Sequence, residues 1–515
     1  MISPKAINAF LKRKLENYDF MKAYKRADLL SAVDELVPKP SLVSLWNHQL
    51  VCFLLIHYLK RFMLFIDMGG GKTLITLSAI RYRKDSGYAP KAVVFVPYIT
   101  SVETWIEEVH KHTPELRCIP LYGTTQENYD KLINEKGDLY VICYQSAVAM
   151  LSETRINAKT GKSEWYLDRK FVQDTFAGFD FLVMDEIHRC KSATSLTYYL
   201  CRAISAQCEY VLGLTGTPFG RDLQDLWPQF NLIDFGDTLG ATFGLYREVF
   251  FKKKEKYWGG FEYKFRQNLF GKLKEVIKNA SIRYSVDEFA DMPPAIYGKI
   301  KLRPHQGIEA YTAKAKLEVT QYASEGDYKA LESSYLQLRQ LSSGFMTLKG
   351  EDSSRVQVAF DENPKLDALQ QLVEDMPPGC KMVVFHHFVY TNQLISDRLK
   401  KLKVKHARIY GKSKDPISEL RKFKDDPDCT VLVLNVKSGS SSLNLQHANY
   451  CCFFEQPDSA IDRQQAEGRV WRSGQQQRVF FTDLIMTGTA DAGINKANKE
   501  GKSMLKELLD NRRLE

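Results

Sequence analysis

Three short motifs in a fixed order constrain this chain most: MGGGKT at residues 68–73, MDEIH at 184–188 and QAEGRVWRSG at 465–474. The first lies between an apolar run, RFMLFID, and a stretch with helical spacing, TLITLSAIRYRK, so Gly69, Gly70 and Gly71 fall on a strand-to-helix turn that Met68 opens. Such a turn aims backbone N–H groups and a helix N-terminus at an anion. Lys72 then reaches the β- and γ-phosphates of a nucleotide, and the Thr73 hydroxyl is a ligand for Mg²⁺. The strict GxxxxGK[ST] spacing fails, because its first glycine would fall on Ile66. Alone, the loop therefore stays open to a plain glycine-rich turn.

The second motif narrows the choice. A short apolar run, FLVM, delivers Asp185 and Glu186 at a strand's C-terminal end, where open α/β sheets place their ligands. Asp185 is expected to hold Mg²⁺ and Glu186 to polarise the attacking water. An acidic pair by itself is more often a solvated loop or a helix cap. Behind a phosphate loop, the pair reads as half of an ATP site.

Strand-like runs alternate with helical ones through AVVFVP, LYVICY, FLVMDE and YVLGLTGTP, and again through KMVVFHHF, HARIYG, CTVLVLN, NYCCFFEQ and RVFFTDLI. This is the rhythm of parallel sheets covered by helices, so the fold class is α/β with two lobes. The expected divisions are an N-terminal basic helical segment (1–40), a first, ATP-binding lobe (41–235), a mostly helical insertion (236–350), a second lobe (351–490) and a C-terminal helix (491–515).

At 515 residues the chain is too long for one core, and 44% hydrophobic with 26% charged residues is an ordinary globular balance. Its longest apolar stretch is broken by Lys60 and Arg61, too short to span a membrane. The charged N-terminus is unlike a secretory signal, so a cytoplasmic location is expected, nucleoid-associated or in a host cytoplasm if the chain is viral. Ten cysteines without a CxxC pair suggest neither zinc nor a disulfide framework, and Cys451 and Cys452 read as core thiols.

The formal charge of +10 is uneven. Residues 247–283 hold eleven Lys/Arg against four Glu, with aromatics interleaved. Lys252, Lys253 and Lys254 suit a DNA phosphate backbone, and equally the solvated face of amphipathic helices.

The third motif sits in DRQQAEGRVWRSGQQQR. Arg469 and Arg472 are three apart, so on a helix they share a face. A guanidinium supplied from the second lobe would neutralise charge in the transition state. In the first lobe, Gln49 is a candidate for an adenine edge. Thr215 and Thr217 flank a glycine in a strand-end turn, where their hydroxyls could touch Asp185, His188 or the other lobe.

With these residues assembled, the chain resembles the superfamily-two helicase-like ATPases, and within them the Swi/Snf-type group of double-stranded DNA translocases. The resemblance runs over roughly residues 41–490. Gln49 falls where the family's adenine-reading glutamine lies, MGGGKT is similar to MGLGKT, MDEIHRCKSATS to DEGHRIKN, and LTGTPFGRDLQDLW to LTGTPLQNNLxELW; LQLRQLSSGF, NPKLDALQQLV and KMVVFHHF resemble the entry to the second lobe. It implies two RecA-like lobes with helical protrusions, use of ATP and Mg²⁺, and tracking along duplex DNA. Hydrolysis would rest on Lys72, Thr73, Asp185, Glu186, Gln465, Arg469 and Arg472, with His188, Thr215 and Thr217 in coupling. Ser101, Tyr144, Ser438, Gly439 and Asn444 are assigned by position to DNA contact or coupling.

Two departures stand out. SGSSSLNLQHA replaces two glycines of the family's AGGxGLNLxxA with serines, and Glu455-Gln456-Pro457 stands where the family has WNP. The expected partner is double-stranded DNA, with single-stranded or branched DNA and an unidentified protein partner open, no membrane, and a monomer sufficient. Alternatives are a strand-separating DExH helicase and a DNA-binding scaffold that uses ATP as a switch.

Overall fold

A computed structural model describes residues 18–36, 45–156, 161, 163–219, 222–255, 261–289, 293–325, 328–349, 355–413, 415–437, 443–457, 459–472, 475–496 and 498. Ser438 and Gly439 lie outside these residues, as do most of the two terminal segments; the helix Arg26–Leu36 is the described part of the first.

The chain divides into two compact units between residues 290 and 291. The first is built on a seven-stranded sheet whose order is Ser281–Tyr284, Arg61–Ile66, Tyr210–Thr215, Phe181–Asp185, Ala92–Val96, Leu139–Cys143 and Cys118–Leu121. Every pairing in it is parallel. Strands buried on both faces need continuous apolar runs, which is why RFMLFI, AVVFV and FLVMD do not alternate with polar residues. One face packs Met63, Phe65, Val93, Phe95, Leu182 and Met184; the other packs Phe62, Leu64, Ile66, Val94, Val96 and Val183. The helix Asn47–Leu59 is buried along most of its length, as an apolar-all-round sequence requires.

The second unit has a six-stranded parallel sheet in the order Ile296–Leu302, Phe480–Met486, Tyr450–Phe453, Met382–His386, Val431–Asn435 and His406–Ile409. Cys451 and Cys452 are free, buried thiols on opposite faces of that sheet, because adjacent strand residues point opposite ways. The molecule thus consists of two RecA-like parallel-sheet lobes. Among the described residues no helix is long and apolar enough to cross a membrane.

The expected helical insertion over 236–350 needs correction. Ser281–Tyr284 completes the first sheet and Ile296–Leu302 the second, so neither lobe boundary falls at 235 or 350. A four-residue edge strand is too short to show periodicity, and the second of these strands, IYGKIKL, is exposed along much of its length. Lys252, Lys253 and Lys254 lie on an antiparallel hairpin, Phe251–Glu255 with Phe261–Phe265, instead of a helix. Helices do dominate the later part, in Gln306–Glu325 and Tyr328–Ser342.

Candidate nucleotide site

The loop after strand Arg61–Ile66 is shaped by its glycines. Gly69 and Gly71 have φ of 85° and 80°, a region L side chains rarely adopt. A Cβ on Gly70 would collide with Ile66, and one on Gly71 with the Gln49 carboxamide. Gly71 is the N-cap of the helix Lys72–Asp85, so the first free N–H groups of that helix open into the loop. Lys72 donates from Nζ to the Ile66 carbonyl at 2.8 Å. Thr73 follows it in the helix's first turn, and Met68 is half-buried at the start of the loop.

Residues outside the motif brace it. Asp67 takes Arg283 Nη1 on Oδ1 at 2.7 Å and the Val286 N–H on Oδ2 at 3.1 Å. The Gly70 carbonyl meets His48 Nε2 at 2.8 Å and accepts from Gln49 Nε2 at 3.3 Å. Gln49 Oε1 accepts the Trp46 N–H at 2.9 Å, so the residue expected at an adenine edge acts here as a latch on the phosphate loop. His48 stacks on Phe289 with centroids 4.7 Å apart. Sequence reading missed His48 and Arg283, the latter because it sits in the strand assigned to the insertion.

The acidic pair ends the strand Phe181–Asp185, one strand removed from the phosphate-loop strand, with Tyr210–Thr215 between them. Asp185 accepts the Trp105 indole N–H on Oδ2 at 3.1 Å, and its main-chain carbonyl accepts the Tyr144 hydroxyl at 3.0 Å. Burial, reinforced by the charge of Glu186, pushes the Asp185 carboxyl up. Burial alone would raise Glu186 too, but His188, Lys72 and Thr215 pull it below the usual carboxylate range. Thr215 donates from Oγ1 to Glu186 Oε2 at 2.8 Å, and His188 Nδ1 lies 3.2 Å from the same oxygen. Thr217 joins through its N–H, which donates to Thr215 Oγ1 at 3.0 Å. Glu186 has φ of 50°, a strained backbone for a non-glycine residue of the kind that clusters at working sites.

The DNA-contact assignments fare unevenly in the first unit. Tyr144 is buried with its hydroxyl committed to Asp185, and Ser101 is buried as well, so both are interior supports here. Trp105, unassigned from sequence, is the residue that touches the site.

In the second unit the helix Ala460–Glu467 starts at Ser459, whose side chain accepts the N–H groups of Ile461 and Asp462. It stops at Gly468, so Arg469 and Arg472 lie in the turn beyond it and do not share a helical face. Gln465 and Arg469 are buried and Arg472 is half-buried. Arg463 anchors the helix, with Nε to Glu467 at 2.6 Å and Nη1 to Gln456 at 2.7 Å and Asp483 at 2.6 Å, its guanidinium over the Phe453 ring. Asn444 forms an Asx turn, accepting the Gln446 N–H at 3.2 Å. Glu455, at the departure from WNP, accepts the N–H groups of His387 and Phe388 and the Thr391 hydroxyl. It thereby ties the loop before the helix Val389–Lys401 to that helix's first turn; burial would raise its carboxyl, and hydrogen bonds led by those of Ser343 and Thr391 hold it low.

A glycine phosphate loop, an acidic pair on the same sheet edge and a second parallel-sheet unit define a helicase-type ATPase. Residues 46–348 match the SNF2-related domain and residues 364–474 the helicase conserved C-terminal domain. The chain belongs to the SNF2-related family and is an ATP-hydrolysing enzyme of that helicase-like class. The ATP-dependent helicase FUN30 of Saccharomyces cerevisiae is 24% identical over 521 residues, covering 84% of this chain and 43% of that protein. Putative protein p41 of Acyrthosiphon pisum secondary endosymbiont phage 1 is 24% identical over 475 residues, covering 88% and 94%. The Sulfolobus solfataricus SWI2/SNF2 ATPase core in complex with dsDNA aligns at 20% identity over 91% of this chain and 93% of that one, with a TM-score of 0.38. The chain spans about two fifths of the length of longer curated relatives such as FUN30.

Proposed function

We propose that this enzyme couples ATP hydrolysis to movement along double-stranded DNA. The observation that carries the hydrolytic half is the Glu186 carboxylate, held ionised and oriented by Thr215 and His188 on the same sheet edge as the Lys72 loop. Thr215 and His188 both engage Oε2, which leaves Oε1 to take the proton of an attacking water. Lys72 exchanges its bond to the Ile66 carbonyl for the phosphates, and the helix N-terminus beside it adds N–H donors. Arg469 and Arg472 are assigned the positive charge that the transferring phosphoryl group demands, and Gln465 a supporting contact.

The donor set fits Mg²⁺. Asp185 and Thr73 offer hard oxygens, and burial and the Glu186 charge raise the Asp185 carboxyl against the opposing pull of Lys72, a surplus of negative charge that a divalent cation would offset. When bound, the ion would neutralise charge on the β- and γ-phosphate oxygens.

The duplex half of the reading rests on family membership and on the basic segment 247–283. Steady-state ATPase rates with no nucleic acid, duplex DNA, single-stranded DNA and RNA test it, with Lys72→Ala as the blank. Strong stimulation by duplex is expected, followed by displacement of a triplex-forming strand. Stimulation by single strands or RNA alone would sink the reading.

Strand separation is the second reading, and one feature favours it. The hairpin Ser152–Ile156 with Ser163–Leu167 leaves Ile156 77% and Trp165 62% exposed, apolar groups of the kind that stack on or wedge between bases. Unwinding of a forked duplex that Trp165→Ala abolishes would move the assignment to this reading.

A further inference from the structure

The hairpin Phe251–Glu255 with Phe261–Phe265 sorts the lysine run by pleat. Successive strand residues point to opposite faces, and directly paired residues share a face. The register pairs Phe251 with Phe265, Lys253 with Tyr263 and Glu255 with Phe261 on one side, and Lys252 with Lys264 and Lys254 with Glu262 on the other.

The first side is anchored at its base, while Lys253, Glu255 and Phe261 further out are exposed. Phe251 is buried and packs edge-on against Phe265, which also meets Phe250 and Phe270. Arg266 ties the base down, its N–H to the Phe250 carbonyl at 2.8 Å and Nε to the Phe251 carbonyl at 3.1 Å. Lys253 belongs to this side, its ammonium 3.4 Å from the centre of the Phe261 ring. A two-stranded ribbon is marginal alone, and this packing gives it a fixed orientation.

Among the described residues, the other side is exposed and carries three lysines against one carboxylate. Lys252 lies directly opposite Lys264, an arrangement that destabilises a hairpin unless a counter-charge covers it. The single carboxylate, Glu262, faces Lys254 and lies 3.9 Å from the Lys264 ammonium. Lys252 and Lys254 are about 6.8 Å apart along the strand, and cross-strand neighbours about 5 Å, a spacing that lets three ammoniums address successive phosphates of one strand.

We propose that the face formed by Lys252, Lys254 and Lys264 docks on the sugar-phosphate backbone of duplex DNA, with Lys253 excluded from that contact. This rests on the reading of the enzyme as a duplex-DNA motor and adds a specific binding surface to it. Lys264, ten positions beyond Lys254 in sequence, becomes part of the contact only through the pairing of the strands. The face carries no base-reading geometry, so it contributes affinity and orientation, not sequence preference.

The test is equilibrium binding of the full chain to a fluorescent duplex across a salt series, for wild type, Lys252→Ala/Lys254→Ala/Lys264→Ala and Lys253→Ala. Each lost phosphate contact lowers the slope of log K against log salt by about 0.9, so the triple variant is expected to lose roughly 2 to 3 from it and Lys253→Ala to match wild type. Thermal midpoints close to wild type show that the hairpin still folds. A wild-type slope in the triple variant overturns the surface while the motor reading stands, provided duplex still stimulates ATPase. A loss of about 0.9 from the slope in Lys253→Ala, one full phosphate contact, overturns the division by face. No duplex binding or stimulation in wild type removes the motor reading and this surface together.

Discussion

Trp105 donates its indole N–H to Oδ2 of Asp185 and so fixes the carboxylate's rotation, with Oδ1 left for other work. A hydrogen bond to a charged group is worth about 1.5–3 kcal/mol, and each 1.4 kcal/mol is about tenfold in rate. Trp105→Phe keeps most of the buried apolar volume and removes the donor. It is expected to lower kcat about tenfold or more, with KM for ATP little changed because Lys72 and the glycine loop are untouched. An unchanged kcat would reduce Trp105 to a packing residue. His386 makes a prediction of a different kind. Burial lowers its pKa from 6.5 to about 4, and the neutral ring accepts from Asn392 at Nε2 and donates from Nδ1 to the Phe388 carbonyl. The unfolded chain takes up the proton that the folded chain refuses, so stability is whole above pH 6.5 and drains away as pH falls toward 4, by about 3 kcal/mol in all. Urea midpoints at pH 7.5, 6 and 5 check this, and His386→Asn is expected to flatten the dependence.

At the scale of elements, the helix Ala460–Glu467, which carries the proposed hydrolytic residue Gln465, shows how such a segment is held by chemistry that performs no catalysis. Its Arg463 sits among Glu467, Asp483 and Gln456, while Tyr297 donates to Glu467 at 3.2 Å and Asn495 to Asp483 at 3.0 Å. Removing one partner of a buried ion pair costs about 3–5 kcal/mol, because the other charge stays buried. Arg463→Leu is therefore expected to lower the thermal midpoint by several degrees and to cut ATPase, since Gln465 and Arg469 lie on and just beyond this helix. Wild-type stability in that variant would mean that the network is dispensable. The phosphate loop is more local: Gly71→Ala forces a Cβ into a φ of 80° and into Gln49. It is expected to weaken nucleotide binding, read with a fluorescent ATP analogue, more than it weakens the fold.

For the whole molecule, each unit has its own sheet and its own paired cores. Two cores need not melt as one. Trp471 is the sole tryptophan of residues 291–503, so 295-nm-excited emission from a variant lacking the others isolates the second unit. Calorimetry is expected to show a van't Hoff enthalpy below the calorimetric one, with Arg463→Leu and low pH both lowering the transition that Trp471 reports. A single transition moved as a whole by Arg463→Leu would show that the units unfold together.

Much of this was legible in residues alone, for identifiable reasons. Parallel strands buried on both faces must be apolar runs, and a loop that wraps phosphate must carry glycines and a lysine, so RFMLFID, MGGGKT and FLVMDE announce themselves. Family membership followed from the same motifs. Tertiary structure decided the rest. Whether SIRY is a helix end or a sheet edge depends on the strand beside it, and only that placement brings Arg283 to Asp67. Tyr144 and Trp105 converge on Asp185 from helices far apart in sequence, and no local spacing encodes that meeting. The lysine run reads as one patch in sequence and as two faces in space, because pleating and register belong to a pair of strands, whereas composition belongs to one.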